Sequence, residues 1–265
     1  MIIESAFFKL PRLLHSVEYL SRTEGSYGRE KPPRKVYEAE LNSMFATLLR
    51  QEISLLNVPS PNACVVENFP YEIDANKKVD IYVNLNPDWG LSRVGEAIKA
   101  SQEPQNFLPI WYGTPVNYIE SKYFGNLTSK SSSTQQVGKI LNDILRLKSL
   151  IRSKENISRY LLLVFAAHPE KYLAYSNRKW LEELLIPKMK EFDLTKPKPL
   201  TFGHIRIPLK QIPCSMFKEV KGRFEEKTRG DDFTFSFFKY FILPYTVNEK
   251  LKLKDLSYFF LMKIF

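Results

Sequence analysis

The chain has 265 residues, of which 44% are hydrophobic and 26% charged, and its formal net charge at pH 7 is +10. This composition excludes a largely disordered chain, and the length is typical of one large domain or a core with a lobe. The positive charge favours a polyanionic partner such as nucleic acid. The two cysteines and three histidines show no ligand spacing, so neither a disulfide framework nor a zinc site is predicted. The longest apolar run, Tyr160 to Ala167, is too short for a membrane span, and no signal peptide is visible. We therefore expect a cytoplasmic protein with no membrane partner.

Residues 1–34 are predicted to form an N-terminal helix and a basic loop. Phe7, Leu10 and Leu14 recur near helical spacing, which is typical of an amphipathic helix. The segment that follows combines glycines, prolines and basic residues, which indicates a surface loop.

Residues 35–168 are predicted to form an α/β core in the order helix, three strands, helix, strand. Apolar residues at helical spacing mark the first helix, and the stretches "VDIYVNL" and "VNYIESKYF" have the alternation and β-propensity of strands. Residues 86–115 form a long insertion between these two strands. The stretch "QQVGKILNDILRLKSLIRSK" predicts the second helix, and "SRYLLLVFAAH" predicts a buried strand.

Residues 169–265 are predicted to form an α+β extension or lobe. "NRKWLEELLIPKMKEF" indicates a helix, and "PLTFGHIRIPL" and "DFTFSFFKYFILPY" indicate strands. The last segment, "LKLKDLSYFFLMKIF", is compatible with either a strand or a helix.

The candidate chemistry is centred on Glu120 and Lys122 in the strand "VNYIESKYF". The pattern Glu-x-Lys occurs three times, but the other two copies lie in the charged segment 218–230, where a solvated face or loop explains them. Residues two apart in a strand project from the same side, so Glu120 and Lys122 point together. Two charges on one face of an otherwise apolar strand need either solvent or a specific partner.

Asp80 is the partner that the preceding strand offers. If the two strands pair, the carboxylates of Asp80 and Glu120 lie close together with Lys122 beside them. Two carboxylates and several waters suit Mg²⁺, and a neighbouring lysine can orient or deprotonate an attacking water. The alternative is that these residues form an ordinary charge pair on a solvated sheet face.

The order of elements, with "VDIYV" followed by "YIESKYF", resembles the PD-(D/E)xK nucleases, which have the restriction-endonuclease-like fold. Asp80 matches the aspartate of the motif, Glu120 its acidic residue and Lys122 its lysine, whereas Val79 stands where the family name has proline. The resemblance implies a metal-dependent endonuclease acting on DNA, with Mg²⁺ as cofactor and Mn²⁺ as its substitute. Asp80 and Glu120 would bind the metal, and Lys122 would position the water.

The resemblance also implies two supporting residues. The family often has a glutamate on the first core helix, and Glu38 lies nearer the apolar face of the predicted helix than Glu40 does, so Glu38 is preferred as a further metal-binding group. Some members have a glutamine early in the following helix. Gln136 is preferred to Gln135 because it stacks one turn before the buried face.

The resemblance leaves the biological role open. Restriction or defence against foreign DNA, and DNA processing within a homodimer or a larger complex, are both compatible with it. A catalytically inactive nucleic-acid-binding or assembly protein of the same fold is an alternative, as is a nuclease acting on RNA or on a recombination intermediate. Proximity of the Asp80 and Glu120 carboxylates is the observation that separates a metal site from an unrelated interaction domain.

Overall fold

The computed structural model describes residues 2–23, 37–56, 58, 60–86, 114–125, 133–151, 156–173, 179–185, 201–208, 232–242 and 257–265. The predicted basic loop, most of the predicted insertion and the charged segment 218–230 lie outside these residues. Within the described part the chain is an α/β protein with four α-helices, seven strands and a short 3₁₀ turn at Pro169–Lys171. The helices are α1 (Ile2–Thr23), α2 (Glu38–Ser54), α3 (Ser133–Ser149) and α4 (Lys179–Leu185), and the strands are β1 (Val65–Pro70), β2 (Lys78–Asn84), β3 (Val116–Phe124), β4 (Ile157–Phe165), β5 (Thr201–Pro208), β6 (Asp232–Ile242) and β7 (Tyr258–Ile264).

All seven strands belong to one mixed sheet with the order β1-β2-β3-β4-β7-β6-β5. β3 and β4 are parallel and are connected through α3, whereas every other neighbouring pair is antiparallel. From α2 to β4 the elements follow the predicted order of helix, three strands, helix and strand. The segment that was compatible with a strand or a helix forms β7, and β5 to β7 extend the same sheet beyond β4.

Helices cover both faces of this sheet, and each face has its own apolar core. The buried residues of α1 and α2 pack with one side of the strands, and those of α3 and α4 pack with the other. β4 contributes to both cores, since Leu161 and Leu163 face one side while Leu162 and Val164 face the other. Burial on both faces explains why the sequence of this strand is a continuous apolar run.

The pairing of β2 with β3 stops next to the candidate residues. The ladder runs from Asn84 opposite Val116 to Ile81 opposite Ile119, so Asp80 is the first residue of β2 beyond it. β2 continues its pairing with β1 on the other side, where Val79 is opposite Phe69. β2 and β3 therefore separate at the point where Asp80 and Glu120 would have been opposite each other.

No helix in the described ranges is long and apolar enough to cross a membrane.

Candidate functional site

The structure brings Asp80 and Glu120 together at the end of the β2–β3 ladder. Glu120 is 1% exposed, and the negative charge of Asp80 acts on its carboxyl group. Asp80 Oδ2 also accepts a hydrogen bond from the backbone N–H of Ser121 at 2.7 Å. This N–H lies just beyond the ladder, so the Asp80 side chain replaces a strand partner, and the carboxylate is held against β3.

The environment of Glu120 disfavours its charged form. Burial is the largest cause, and the charges of Asp143 and Asp80 add to it, so the pKa of Glu120 is raised well above its usual value. The hydroxyl of Tyr71 donates a hydrogen bond to Glu120 Oε1, and this hydrogen bond lowers the pKa of Glu120 against the other effects. Burial and the two neighbouring carboxylates therefore disfavour the charged form of Glu120, and either a proton or a cation would offset this cost.

Lys122 lies at the centre of a charge network. Its Nζ is 2.9 Å from Glu38 Oε1 and 3.3 Å from Asp143 Oδ2, and it donates a hydrogen bond to the backbone carbonyl of Ser121 at 2.9 Å. Burial alone would lower the pKa of Lys122, but Asp143, Glu38 and Asp80 outweigh burial and raise it. Lys122 is therefore a fixed cation at neutral pH, which opposes a role in which it removes a proton from water.

The two glutamates at the start of α2 have different surroundings. Glu38 contacts Lys122, whereas Glu40 Oε2 accepts a hydrogen bond from the backbone N–H of Tyr37 at 3.0 Å and completes a capping box. Of the two glutamates considered from sequence, the structure therefore places Glu38 at the candidate site and Glu40 at the helix end.

The two glutamines at the start of α3 also differ. Gln136 is half-buried and Gln135 is exposed. Gln136 lies two helical turns before Asp143, which corresponds to roughly 10 Å along the helix axis. The structure thus places Gln136 on the helix face that carries Asp143, towards the beginning of α3.

Asp143 is a site residue that the sequence analysis missed. It is 1% exposed, and Arg146 Nη1 is 3.7 Å from its Oδ1. Its Oδ2 has no hydrogen-bond partner in the described part of the chain, although Lys122 Nζ is near. Burial raises the pKa of Asp143 to about 6 against the opposing effects of Lys122 and Arg146. An acidic residue between Ile140 and Leu147 on the apolar face of α3 was the available signal.

Three further polar side chains connect the site to its surroundings. The Ser121 hydroxyl donates a hydrogen bond to Asn42 Oδ1 and lies 3.4 Å from Asp80 Oδ2. Asn42 is one turn after Glu38 on α2, so both residues face β3. Tyr71 follows β1 and stacks with Tyr118, with their ring centroids 6.3 Å apart. No sequence motif indicates these contacts, because each one depends on how α2 and the β1–β2 turn pack on β3.

The donor set fits a hard cation better than a transition metal. Asp80 and Glu120 offer carboxylate oxygens at the same end of the β2–β3 ladder, and Mg²⁺ prefers oxygen ligands and keeps several waters. In the described ranges, no group of three or more His, Cys, Asp or Glu side chains is arranged to hold a metal ion. Two carboxylates with waters and phosphate oxygens are therefore the set that these residues could provide for Mg²⁺ or Mn²⁺.

We predict that Tyr71→Phe destabilises the protein by about 1–3 kcal/mol at pH 8, because a buried carboxylate loses a donor. The Tyr71 hydrogen bond opposes the raised pKa of Glu120, so its loss raises that pKa further. The carboxyl group is neutral below its raised pKa, and the destabilisation is therefore expected to decrease as the pH falls. Urea unfolding at pH 5 and pH 8 measures both effects. A loss of unfolding free energy that is the same at pH 5 and pH 8 would contradict a hydrogen bond from Tyr71 to the charged form of Glu120.

The comparisons with known proteins add no relative that shares this site. No protein-family model, no curated protein and no solved structure matches the chain. A functional proposal therefore depends on the sequence and on the geometry of these side chains.

Proposed function

We propose that the protein is a metal-dependent endonuclease that hydrolyses phosphodiester bonds in DNA, with a restriction-endonuclease-like core. The observation that supports this proposal is the position of Asp80 and Glu120 at the end of the β2–β3 ladder, where Asp80 accepts from the Ser121 N–H and Lys122 is held two residues beyond Glu120. The net charge of +10 is favourable for a polyanionic substrate. We propose Mg²⁺ as the cofactor, with Mn²⁺ as its substitute.

Asp80 and Glu120 would hold the metal. A bound Mg²⁺ supplies Lewis-acid chemistry at a phosphate oxygen and lowers the pKa of bound water. The raised pKa of Glu120 fits this role, because a cation would favour its ionised form in place of a proton.

Lys122 would donate hydrogen bonds to the attacking water or to a phosphate oxygen, and its positive charge would stabilise the negative charge that develops there. Glu38 and Asp143 hold its ammonium group from two sides. We propose that both act as positioning residues for Lys122. Gln136, on the same face of α3 as Asp143, would support this side of the site.

A catalytically inactive nucleic-acid-binding or assembly protein is the second candidate. The observation that favours it is that the Lys122 ammonium group is already engaged by two carboxylates and a backbone carbonyl. In this case the charged network would be structural, and the protein would bind nucleic acid in a salt-sensitive way without cutting it.

A cleavage assay separates these candidates. Purified protein is incubated with supercoiled plasmid, linear duplex DNA, a branched DNA junction and single-stranded RNA, each with Mg²⁺, Mn²⁺ or EDTA. Cleavage of plasmid or linear duplex DNA that requires the metal supports the proposal. Binding without cleavage supports the inactive protein, and cleavage restricted to RNA or the junction reassigns the substrate. A role in restriction or DNA processing, as a homodimer or within a larger complex, is a further proposal that depends on the first result.

The two glutamates of α2 provide a matched pair of variants. Glu38→Gln is expected to reduce the cleavage rate by about 10–100-fold, because Lys122 loses one of its charged anchors. Glu40→Gln is expected to keep the wild-type rate, since glutamine can also serve in a capping box. Single-turnover cleavage measures both rates. Equal effects of the two substitutions would contradict the positioning role of Glu38.

A further inference from the structure

The two faces of the sheet differ in burial at β5, β6 and the end of β7. One face is buried and packs with α4, and its residues include Ile205, Ile207, Phe235 and Phe237. On the opposite face Tyr240 and Leu261 belong to the core formed with α1 and α2, but towards the β5 edge this face is open to solvent. The side chains of the open part, which we call the aromatic face, are Phe202, His204, Arg206, Thr234, Ser236, Phe238, Lys263 and Phe265.

Three phenyl rings form one cluster on the aromatic face. Phe202 is 55% exposed and Phe265 is 49% exposed, and their ring centroids are 6.0 Å apart. The half-buried ring of Phe238 lies 6.4 Å from that of Phe202, and the imidazole of His204 lies 4.8 Å from it. Single exposed apolar side chains are ordinary, whereas neighbouring exposed rings are a candidate binding surface.

The charges of the aromatic face indicate the class of ligand. Lys263 Nζ lies 5.8 Å from the centroid of the Phe265 ring, and Arg206 is exposed two residues after His204. The described side chains of this face include these two cations and no carboxylate. Rings interleaved with cations are complementary to a ligand that has flat apolar groups and negative charge, and unpaired nucleotides have both.

The exposed area favours unpaired nucleotides over a protein partner or a second copy of this chain. A phenylalanine side chain buries roughly 150–250 Å² when it is fully covered, so two half-exposed rings offer roughly 200 Å². A stable protein interface needs about 800 Å² on each partner. A base needs only one ring to stack on. We propose that the aromatic face binds single-stranded DNA, with bases stacked on Phe202 and Phe265 and backbone phosphates near Lys263 and Arg206.

The aromatic face is separate from the candidate site. Glu120 is in register with Thr201, the residue before Phe202, through Leu161 of β4, Met262 of β7 and Lys239 of β6. Four strand spacings separate β3 from β5, which corresponds to roughly 19 Å. The inference rests on the proposed function only in naming DNA as the strand, and it adds that DNA with unpaired bases is the preferred substrate.

Fluorescence anisotropy in EDTA tests the proposal with a labelled oligo-dT strand and a blunt duplex. Phe202→Ala and Phe265→Ala are each expected to weaken binding to oligo-dT by about 5–100-fold, because a base loses its stacking partner. Binding to the duplex is expected to change little, since paired bases cannot reach the rings. Failure of the wild type to bind oligo-dT, unchanged affinity in both variants, or equal losses on strand and duplex would overturn the proposal.

An abasic strand of the same length separates stacking from phosphate contacts, because it has the phosphates without the bases. The wild type is expected to bind oligo-dT more tightly than the abasic strand, and the double variant Phe202→Ala with Phe265→Ala is expected to lose most of this difference. Lys263→Met is expected to weaken binding to both strands and to reduce the slope of log K against log salt by about 0.7. Equal binding of the two strands by the wild type would contradict base stacking and overturn the proposal.

Phe8→Ala is the matched control. Phe8 is 48% exposed on α1, where its ring lies 6.0 Å from that of Phe7, outside the aromatic face. Its replacement is expected to leave binding to oligo-dT unchanged, and an equal loss in this variant would overturn the proposal. Sedimentation of the wild type and Phe202→Ala is expected to give the same oligomeric state. A change in that state would assign the face to a second copy and overturn the proposal as well.

None of these measurements requires a metal or cleavage. Loss of the nuclease proposal would therefore leave the binding result intact, and loss of strand binding would leave metal-dependent cleavage of duplex DNA as a separate question.

Discussion

Asp80→Asn is expected to abolish metal-dependent cleavage of DNA while leaving the protein folded and at least as stable as the wild type at neutral pH. The substitution removes one of the two carboxylates that we propose as metal ligands. Loss of the metal's stabilisation of the transition state, several kcal/mol, corresponds to a reduction in rate of about 10³-fold or more. The asparagine Oδ1 can still accept the hydrogen bond from the Ser121 N–H, so the local strand geometry is kept.

The stability of Asp80→Asn provides an independent test of the electrostatic effect of Asp80 on Glu120. Asp80 contributes to the raised pKa of Glu120, so its neutralisation lowers that pKa towards the usual value. A carboxyl group whose pKa is raised on folding favours the folded state at low pH and loses this contribution as the pH rises through its folded pKa. We therefore expect the wild type to lose stability between acidic and neutral pH, and Asp80→Asn to lose less.

Urea unfolding at several pH values and a plasmid-nicking assay measure the two effects on the same preparations. Glu40→Gln is the matched control, because it removes a carboxylate that lies in the capping box of α2. Wild-type cleavage by Asp80→Asn would remove the support for the nuclease proposal. A large loss of stability at neutral pH would contradict the electrostatic repulsion between Asp80 and Glu120.

Lys122→Met is expected to give the largest loss of stability, about 3 kcal/mol at pH 8. Asp143 is 1% exposed, and among the described residues Lys122 is the cation nearest to it, at 3.3 Å. Removing one partner of a buried ion pair leaves the other charge uncompensated, and this is usually strongly destabilising. Cleavage is expected to be lost as well, because the proposed contact with the water or phosphate is removed.

The pH dependence of this loss follows from the pKa of Asp143, which is about 6 in the wild type and is held down by Lys122. Without the lysine this pKa rises. A group with a raised folded pKa contributes full stability only below its unfolded value and loses it as the pH rises through the folded value. The destabilisation by Lys122→Met is therefore expected to be largest above pH 7 and to decrease as the pH falls towards 5.

The double variant Lys122→Met with Asp143→Asn is the control for this prediction. It removes both charges, so most of the stability lost in the single variant is expected to return, with strong non-additivity in a double-mutant cycle. Cleavage is expected to stay absent. A double variant as unstable as Lys122→Met would show that the loss comes from packing of the lysine side chain rather than from the unpaired charge of Asp143.

Local pattern accounts for the part of the site that sequence could predict. Alternation along β3 places Glu120 and Lys122 on one side, and the helical face of α2 favours Glu38 over Glu40, which matches their positions in the structure. The proximity of Asp80 and Glu120 follows only if two strands about thirty residues apart in sequence are neighbours, and β2 does pair with β3. These features depend on the periodicity of side chains along a strand or helix and on the pairing of strands that follow each other in the chain. Both can be inferred from a single sequence.

The rest of the site depends on tertiary packing. Asp143 reaches Lys122 only because α3 docks on β3 with a particular rotation, and the position of Tyr71 depends on the turn between β1 and β2. The sequence shows each residue as one polar side chain near apolar neighbours, with no indication of its partner. The location of β7 between β4 and β6 could not be predicted from the sequence either, because Leu162 and Leu261 pair across a long sequence separation.

The central position of β7 has a consequence for the order in which the protein can fold during synthesis. β1 to β4 can pair as they emerge from the ribosome, and β5 and β6 can form a hairpin of their own. These two units have no shared edge until residues 258–264 are available, since β7 connects β4 to β6. Completion of the sheet is therefore expected to follow translation of β7, and long-range pairing of this kind is slow. Until then, the apolar edge of β4 is open to chaperones and to other chains.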